Sequence, residues 1–491
     1  MSQQTGISES TLHTAPGAAP EQASIAADYT ESVVPARAKR SNFRVFLLFM
    51  SMQLVFGAVL VGYNARFQGI SLPQLILAMA IAATTMTLYC IGSANVGAVA
   101  GQTHAVTTRS IFGRIGSGLV SLLLVIDGMG FYLFTVLFII SLAQALFGTI
   151  PAVALITALL ALFMIFNNYF GFTGLQRFAQ FVAVPVMIVW GVYAVIKAFA
   201  SVQGSAIAAV PSVPAASSLF VVVGAMVGLS TWGNEPDVFR YAKAGRASWW
   251  NIPTLAVSYF LGAFLFPIMG YLVAVISGTS DFAASIRYFA TFTVFGLAGV
   301  MMLVLLVNQW AVQDGNLYIA INGAQNLLSR IPGWRRQYTV VGLGVIAAGL
   351  TFILPSLTQT FNIVTGIGAV TVPVASTIMA VDVFLLPRFF NLRRPLHRVA
   401  SWSELAMANW PAIVALLVGT GVGAVTGGLV PGTPGFGTTY IGFPALQAWL
   451  AGAVVYLVLV AVVARSPRVK DMLGYSALEE TPSTAEAGAS R

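Results

Sequence analysis

Apolar runs of about twenty residues recur along the whole of the 491-residue chain, and that recurrence excludes nearly every fold built in water. A helix needs roughly 20 apolar residues to cross a bilayer core. Twelve runs meet that measure: 44–63, 72–101, 117–148, 150–169, 175–200, 218–241, 251–277, 288–328, 338–356, 359–386, 408–430 and 444–464. The longer ones imply tilt, kinks or extension past the bilayer. A barrel would instead alternate polar and apolar residues over ten-residue segments. Composition agrees: 58% of residues are hydrophobic and 8% charged, where soluble domains carry about a quarter charged residues. The expected fold class is an all-α polytopic membrane protein with twelve transmembrane helices.

The net charge of +9 does not point to nucleic acid, because Lys and Arg sit in the short turns between apolar runs rather than in one patch. With the N-terminus in the cytoplasm, 21 of the 24 basic residues fall inside and only Arg66, Lys197 and Arg287 fall outside. That asymmetry predicts both termini cytoplasmic. Cys90 is the single cysteine, so no disulfide framework or thiol metal site is expected, and the polar N-terminus lacks a signal-peptide pattern. The expected organisation is a disordered tail 1–43 (its polar stretch 1–36), a first repeat 44–200, and a second repeat 218–386. A basic cytoplasmic loop 387–407, two added spans 408–464 and a C-terminal tail 465–491 follow.

Five carboxylates lie inside predicted spans: Asp127, Glu235, Asp237, Asp314 and Asp382. Such a group is costly in a membrane unless it faces a cavity or a partner. Asp237 and Asp382 lie near predicted cytoplasmic ends, close to Arg240 and Arg388, and read as boundary ion pairs or caps. Asp127 lies about ten residues into span 3, flanked by Gly128, Gly130, Phe131 and Tyr132; it is either a hydrogen bond to a neighbouring helix or a substrate or proton site. In span 8, Asn308, Gln309, Gln313, Asp314, Asn316 and Asn322 interrupt an apolar run. They cannot all share one helix face, so either some line a polar cavity or they bond other helices.

The stretch Ser230–Trp232–Gly233–Asn234–Glu235–Pro236–Asp237 predicts a break in span 6, since Gly and Pro weaken the helical ladder. Broken membrane helices are tolerated where the freed backbone lines a cavity, and carriers with inverted repeats place their sites there. If five spans repeat as five, span 1, with Ser51, Gln53 and Gly57, is the counterpart of span 6, and span 3 of span 8. The two halves carry no clear sequence repeat.

Several stretches, in order, resemble the nucleobase:cation symporter-1 family, the purine and cytosine permeases. They are "DYTESVVPARAKRS" from Asp28, "GQTHAVTTRSIFGRIGS" from Gly101, "EPDVFRYAK" from Glu235, "NQWAVQDGNLY" from Asn308 and "VPVASTIMAVD" from Val372, with the Asn409–Trp410 pair after them. The resemblance covers nearly the whole chain. It implies a five-plus-five inverted repeat (LeuT-type) core with two extra C-terminal helices, and alternating access. It also implies a heterocycle site between spans 1, 3, 6 and 8. By position the implied substrate residues are Gln53, Asp127, Gly128, Phe131, Ser230, Trp232, Gln313 and Asn316. Gly128 stands where cytosine carriers have Gln, with Asp127 adjacent; a carboxylate can accept two N–H bonds from an amino-substituted or protonated ring.

Sodium-coupled members of that family use span-1 backbone oxygens, here near Ser51 and Leu54, a span-8 carbonyl, here Asn308, and two span-8 hydroxyls. Those two positions are Ala311 and Val312, which offer a hard cation no oxygen. Proton coupling is therefore expected in preference to sodium. Asp127 and Glu235 are the leading proton candidates because burial disfavours a charged carboxyl, and Asp314 is a third. The expectation is a secondary importer of a nucleobase-like heterocycle in the cell membrane, without cofactor or enzymatic activity. The alternatives are a sodium-coupled symporter and a non-transporting receptor or scaffold on the same fold. A membrane-embedded enzyme is disfavoured because His13, His104 and His397 lie in the tail or internal loops and no metal cluster or nucleophile–base pair is visible. Substrate identity, stoichiometry and oligomeric state are open.

Overall fold

The computed structural model describes residues 28–208, 216–231, 233, 235–243, 249–281, 284–285, 288, 297–353, 357–430, 441–466 and 468–474. Among these the chain is helical throughout. The helices are α1 (Asn42–Gln53), α2 (Val59–Phe67), α3 (Leu72–Ala100), α4 (His104–Phe147), α5 (Val153–Phe163), α6 (Gly171–Phe178), α7 (Val184–Ser201) and α8 (Ala216–Ser230). They continue as α9 (Glu235–Phe239), α10 (Asn251–Ser277), α11 (Ala298–Leu328), α12 (Arg336–Leu350), α13 (Leu357–Val370), α14 (Val372–Ala380), α15 (Trp410–Thr426) and α16 (Pro444–Val463). A helix or broken pair lies at each of the twelve predicted positions. Length and apolarity alone qualify six spans to cross a membrane, or seven if the α1–α2 pair, bent by 45°, counts as one. At 31 residues α11 is long enough but is not among the six, because its amides lower its hydropathy. Side chains such as Leu88 and Val189 are largely exposed, which suits a surface that meets lipid rather than water.

Local chemistry sets the helix ends. Ser71 caps α3 in a reciprocal box with Gln74, and the helix stops at Gly101 in the left-handed region. In α4, Gly113 has φ +73 and interrupts the helix, so the arm up to Phe112 is distinct from the span predicted from 117. The amides freed by that interruption find carbonyls: Arg114 N donates to Ala406 O and Ile115 N to Met407 O, each at 3.0 Å.

Within the expected tail 1–43 the described residues include Asp28, which is a hub of contacts between helices. It is buried and paired with Arg240 at 3.8 Å and Arg336 at 3.2 Å. Its carboxylate accepts from Tyr241 at 2.8 Å, from Tyr318 at 3.2 Å, and from the Phe172 amide at 3.2 Å. Fully buried Arg240 also donates to the Tyr29 and Asp28 carbonyls. One carboxylate so joins the N-terminal segment to α6, α11, α12 and the chain after α9. Breaking a buried pair leaves uncompensated charge, at about 3–5 kcal/mol. Asp28→Ala is expected to lose that much unfolding free energy in a denaturant titration of purified protein; a change under about 0.5 kcal/mol would remove Asp28 from this role.

Lys39 donates to the Arg240 carbonyl at 2.6 Å. Burial, then the neighbouring Arg240 charge, lowers its pKa from 10.5 to about 8. The folded protein thus holds this proton less tightly than the unfolded chain. The charged form costs stability below pH 8, and that cost disappears as pH rises from about 8 toward 10.5. Thermal melts across that window should show wild type gaining on Lys39→Gln; a constant gap would contradict the assignment.

Candidate functional site

Four close helix contacts, each made at a glycine, form a ring at mid-chain positions of the spans. A methyl group on Gly315 of α11 would meet the Met52 side chain of α1. One on Gly128 of α4 would meet the Asn316 carbonyl of α11. One on Gly368 of α13 would lie 3.2 Å from Asp127 Oδ1 and 2.9 Å from the Phe131 ring of α4. One on Gly228 of α8 would collide with the Thr365 carbonyl of α13. The ring therefore runs α1–α11–α4–α13–α8.

Buried polar groups without partners cluster on this ring. Among the described residues, neither oxygen of Asp127, neither amide atom of Gln53 or Gln313, and not the Ser230 hydroxyl has a hydrogen-bond partner. Buried polar groups are ordinarily paired, so the unpaired Asp127 carboxyl, beside Gly368 and the Phe131 ring, stands apart among the described residues. Phe131 supplies a buried aromatic ring. Asn316 donates to Thr135 Oγ1 at 3.5 Å, and its Oδ1 has no partner. Gly128 is taken up by α11 packing instead of facing open space. Trp232 lies outside the described residues.

The remaining predicted residues are engaged elsewhere. Ser51 Oγ donates to the Leu48 carbonyl at 2.7 Å. Asp314 accepts from Asn167 Nδ2 at 2.8 Å and Asn168 Nδ2 at 3.4 Å, so it points away from Gln313, as adjacent helical residues do. Glu235 sits in a hydroxyl cage of Ser93 at 3.1 Å and Tyr89 and Tyr259 at 3.4 Å each. Asp382 is paired with Arg394 at 2.7 Å and Tyr456 at 2.6 Å, not with the expected Arg388: the loop folds back and brings the later arginine in. Asp237 accepts from the His104 amide at 3.0 Å, and Arg240, expected to pair with it, meets the Asp28 carboxylate.

Both breaks are clamped by side chains. Span 1 breaks after Gln53, at Leu54. There Asn308 Nδ2 donates to the Leu54 carbonyl and Asn308 Oδ1 accepts from Phe56 N at 2.9 Å. Span 6 breaks after Ser230, with Gly233 at φ +79. His104 Nδ1 lies 2.8 Å from the Gly233 carbonyl; a carbonyl only accepts, so Nδ1 carries the proton. His104 lies between predicted spans, and neither it nor Gly368, on the part of the predicted span 359–386 that forms α13, is among the expected site residues. The motif around His104 and the Gly366–Gly368 pair were the only signals for them. Among the described residues no three His, Cys, Asp or Glu converge as metal ligands. A separate cleft of about 730 Å³ opens beside Glu31, Gln325, Trp334 and Arg335, toward the end of α11 and several turns from Gln313.

No protein-family profile matches the chain. It is 25% identical over 437 residues to the cytosine permease of Escherichia coli (strain K12), which spans 88% of this chain and 94% of the relative. The cytosine permease of Escherichia coli O157:H7 matches to the same extent. Among solved structures, Mhp1, a nucleobase-cation-symport-1 family transporter in a closed conformation with bromovinylhydantoin bound, superposes with TM-score 0.66 at 16% identity. It covers 91% of this chain and 99% of its own. A Na+-coupled sialic acid symporter in a substrate-bound outward-open state gives TM-score 0.60 at 11% identity, over 89% and 93%. The fold is that of LeuT-type carriers.

The pairing pattern separates two carboxylates. Asp314→Ala strands the Asn167 donor, while Asn168 keeps the Asp314 carbonyl at 3.1 Å, and should cost about 1–3 kcal/mol. Asp127→Asn alters a carboxyl that has no partner among the described residues and should leave stability unchanged or raised. Thermal melts of both variants decide; equal losses would mean that Asp127 is a structural residue like Asp314.

Proposed function

We propose that this chain, a member of the nucleobase:cation symporter-1 family, imports a nucleobase-like heterocycle carrying N–H donors by alternating access, driven by protons rather than sodium. It works in the cell membrane, in contact with lipid and with both termini cytoplasmic; it is a carrier and not an enzyme. The observation that carries this reading is Asp127: a buried carboxylate with no hydrogen-bond partner among the described residues, beside the Phe131 ring and under Gly368. An unpaired carboxylate in a membrane interior needs a donor. A flat ring with two N–H groups supplies it, with its face on Phe131. Gln53, Ser230 and Gln313 offer further donors and acceptors, while Asn316 and Trp232 complete the proposed substrate set.

Ala311 and Val312 are buried and bring no oxygen to the span-1 break, which favours a proton over a hard cation. Asp127 and Glu235 are the groups to carry it; Asp314, held by two asparagines, is left to structure.

Uptake of labelled nucleobases and related heterocycles into proteoliposomes tests this, with imposed proton or sodium gradients. A proton gradient should drive uptake and a sodium gradient should not. Losing a hydrogen bond to a charged group costs about 1.5–3 kcal/mol, so Asp127→Asn should lower substrate affinity about tenfold to a hundredfold. Gly368→Val, which places a side chain between Asp127 and Phe131, should abolish uptake. Sodium-driven uptake would overturn the coupling assignment, and full activity of Asp127→Asn would overturn the site.

A further inference from the structure

We propose that the side-chain amide of Asn308 takes the place of a cation at the span-1 break, so that the carrier reaches its binding shape with no metal ion there. This rests on the reading that sodium is not the coupling ion. A break inside a membrane frees backbone groups that water cannot satisfy. At this break the Leu54 carbonyl needs a positive partner and the Phe56 amide a negative one. A primary amide carries both at fixed spacing, and Asn308 uses both: Nδ2 to Leu54 O, and Oδ1 from Phe56 N at 2.9 Å. Gln309 Nε2 donates to the same Oδ1 at 3.1 Å, which holds the amide in this orientation.

The surroundings leave a cation little. Asn308 and Gln309 are fully buried. Ser51 Oγ is turned to donate to the Leu48 carbonyl within its own helix, and Ala311 and Val312 have no side-chain oxygen. Gln309 Oε1 has no partner, but one amide oxygen falls far short of the shell a hard cation requires. The donor that already sits on Leu54 O removes the oxygen nearest the break.

The test replaces the donor and keeps the acceptor. In Asn308→Asp the carboxylate can still accept from Phe56 and Gln309, but it faces the Leu54 carbonyl with oxygen against oxygen. A sodium ion, or a proton on the carboxylate, would relieve that. Purified full-length protein is melted in sodium chloride and in choline chloride at matched ionic strength. Wild type should melt at the same temperature in both. Asn308→Asp should melt lower in choline and recover by a few degrees with saturable dependence on sodium, less so at acid pH. Asn308→Ala, with neither donor nor acceptor, should melt lower with no sodium response. Sodium stabilisation of the wild type would overturn the proposal, as would an Asn308→Asp no more sodium-sensitive than Asn308→Ala. If Asn308→Asp cannot be purified, the wild-type comparison still decides. Melting needs no substrate, so a failed uptake assay counts against the transport reading and leaves this result standing.

Discussion

The fold depends on satisfying backbone groups where helices are broken inside a medium that offers no water. Each interruption here has its own answer. At Gly113 two amides reach the loop carbonyls of Ala406 and Met407. At Leu54 an asparagine from α11 supplies donor and acceptor together. At Gly233 a histidine at the head of α4 supplies the donor. The last two are reciprocal: the broken helix of the first half is held by span 8 of the second, and the broken helix of the second by the arm leading into span 3 of the first. A break held by its own half would leave the halves independent. A break held across them lets a movement of one half be felt at the binding ring in the other.

Charge is handled by the same rule. Asp28 has two arginines and two tyrosines, Asp382 an arginine and a tyrosine, Glu235 three hydroxyls, and Asp314 two amides. Against that background the bare carboxylate of Asp127 stands out. Partnered charges fix helices in place; an unpartnered one in the same environment is tolerated only where something arrives to partner it. The sorting comes from counting partners, and it separates residues whose sequence surroundings look alike.

The apolar runs, the break in span 6 and the five carboxylates within those runs were legible in the sequence, because apolar length and the cost of polar groups in lipid act locally; span 1 was legible only as the possible counterpart of span 6. Which carboxylate is bare was not legible, since partners come from elsewhere in the chain: Asn167 for Asp314, Tyr89 for Glu235, Arg394 rather than Arg388 for Asp382. Asp28 read as the end of a polar tail because nothing near it in sequence announces Arg240 or Arg336. Gly128 read as a gap left by a missing side chain, yet its hydrogen faces the Asn316 carbonyl. Only the path of α11 could reveal that. His104 was set aside for lying between spans, while its work is done on a residue 129 positions away.

The two proton candidates need not touch to act together. Glu235 begins α9, directly after the break, Asp127 lies on α4, and the proposed link between them is the field that each buried carboxylate sets up at the other. In the proposed cycle, a substrate N–H pair on Asp127 neutralises part of that field, and a proton on Glu235 does the same from the other side. Either event makes the other less costly, which is the reciprocal coupling that linkage requires. The hydroxyl cage around Glu235 can turn to serve a charged or a neutral carboxyl, so a proton can come and go there without stranding a buried group. Asp127 has no such cage among the described residues, and in the proposed cycle the heterocycle supplies its donors. The proposed cycle then uses the two carboxylates differently: Asp127 meets the substrate and can take a proton, while Glu235 takes a proton inside its cage.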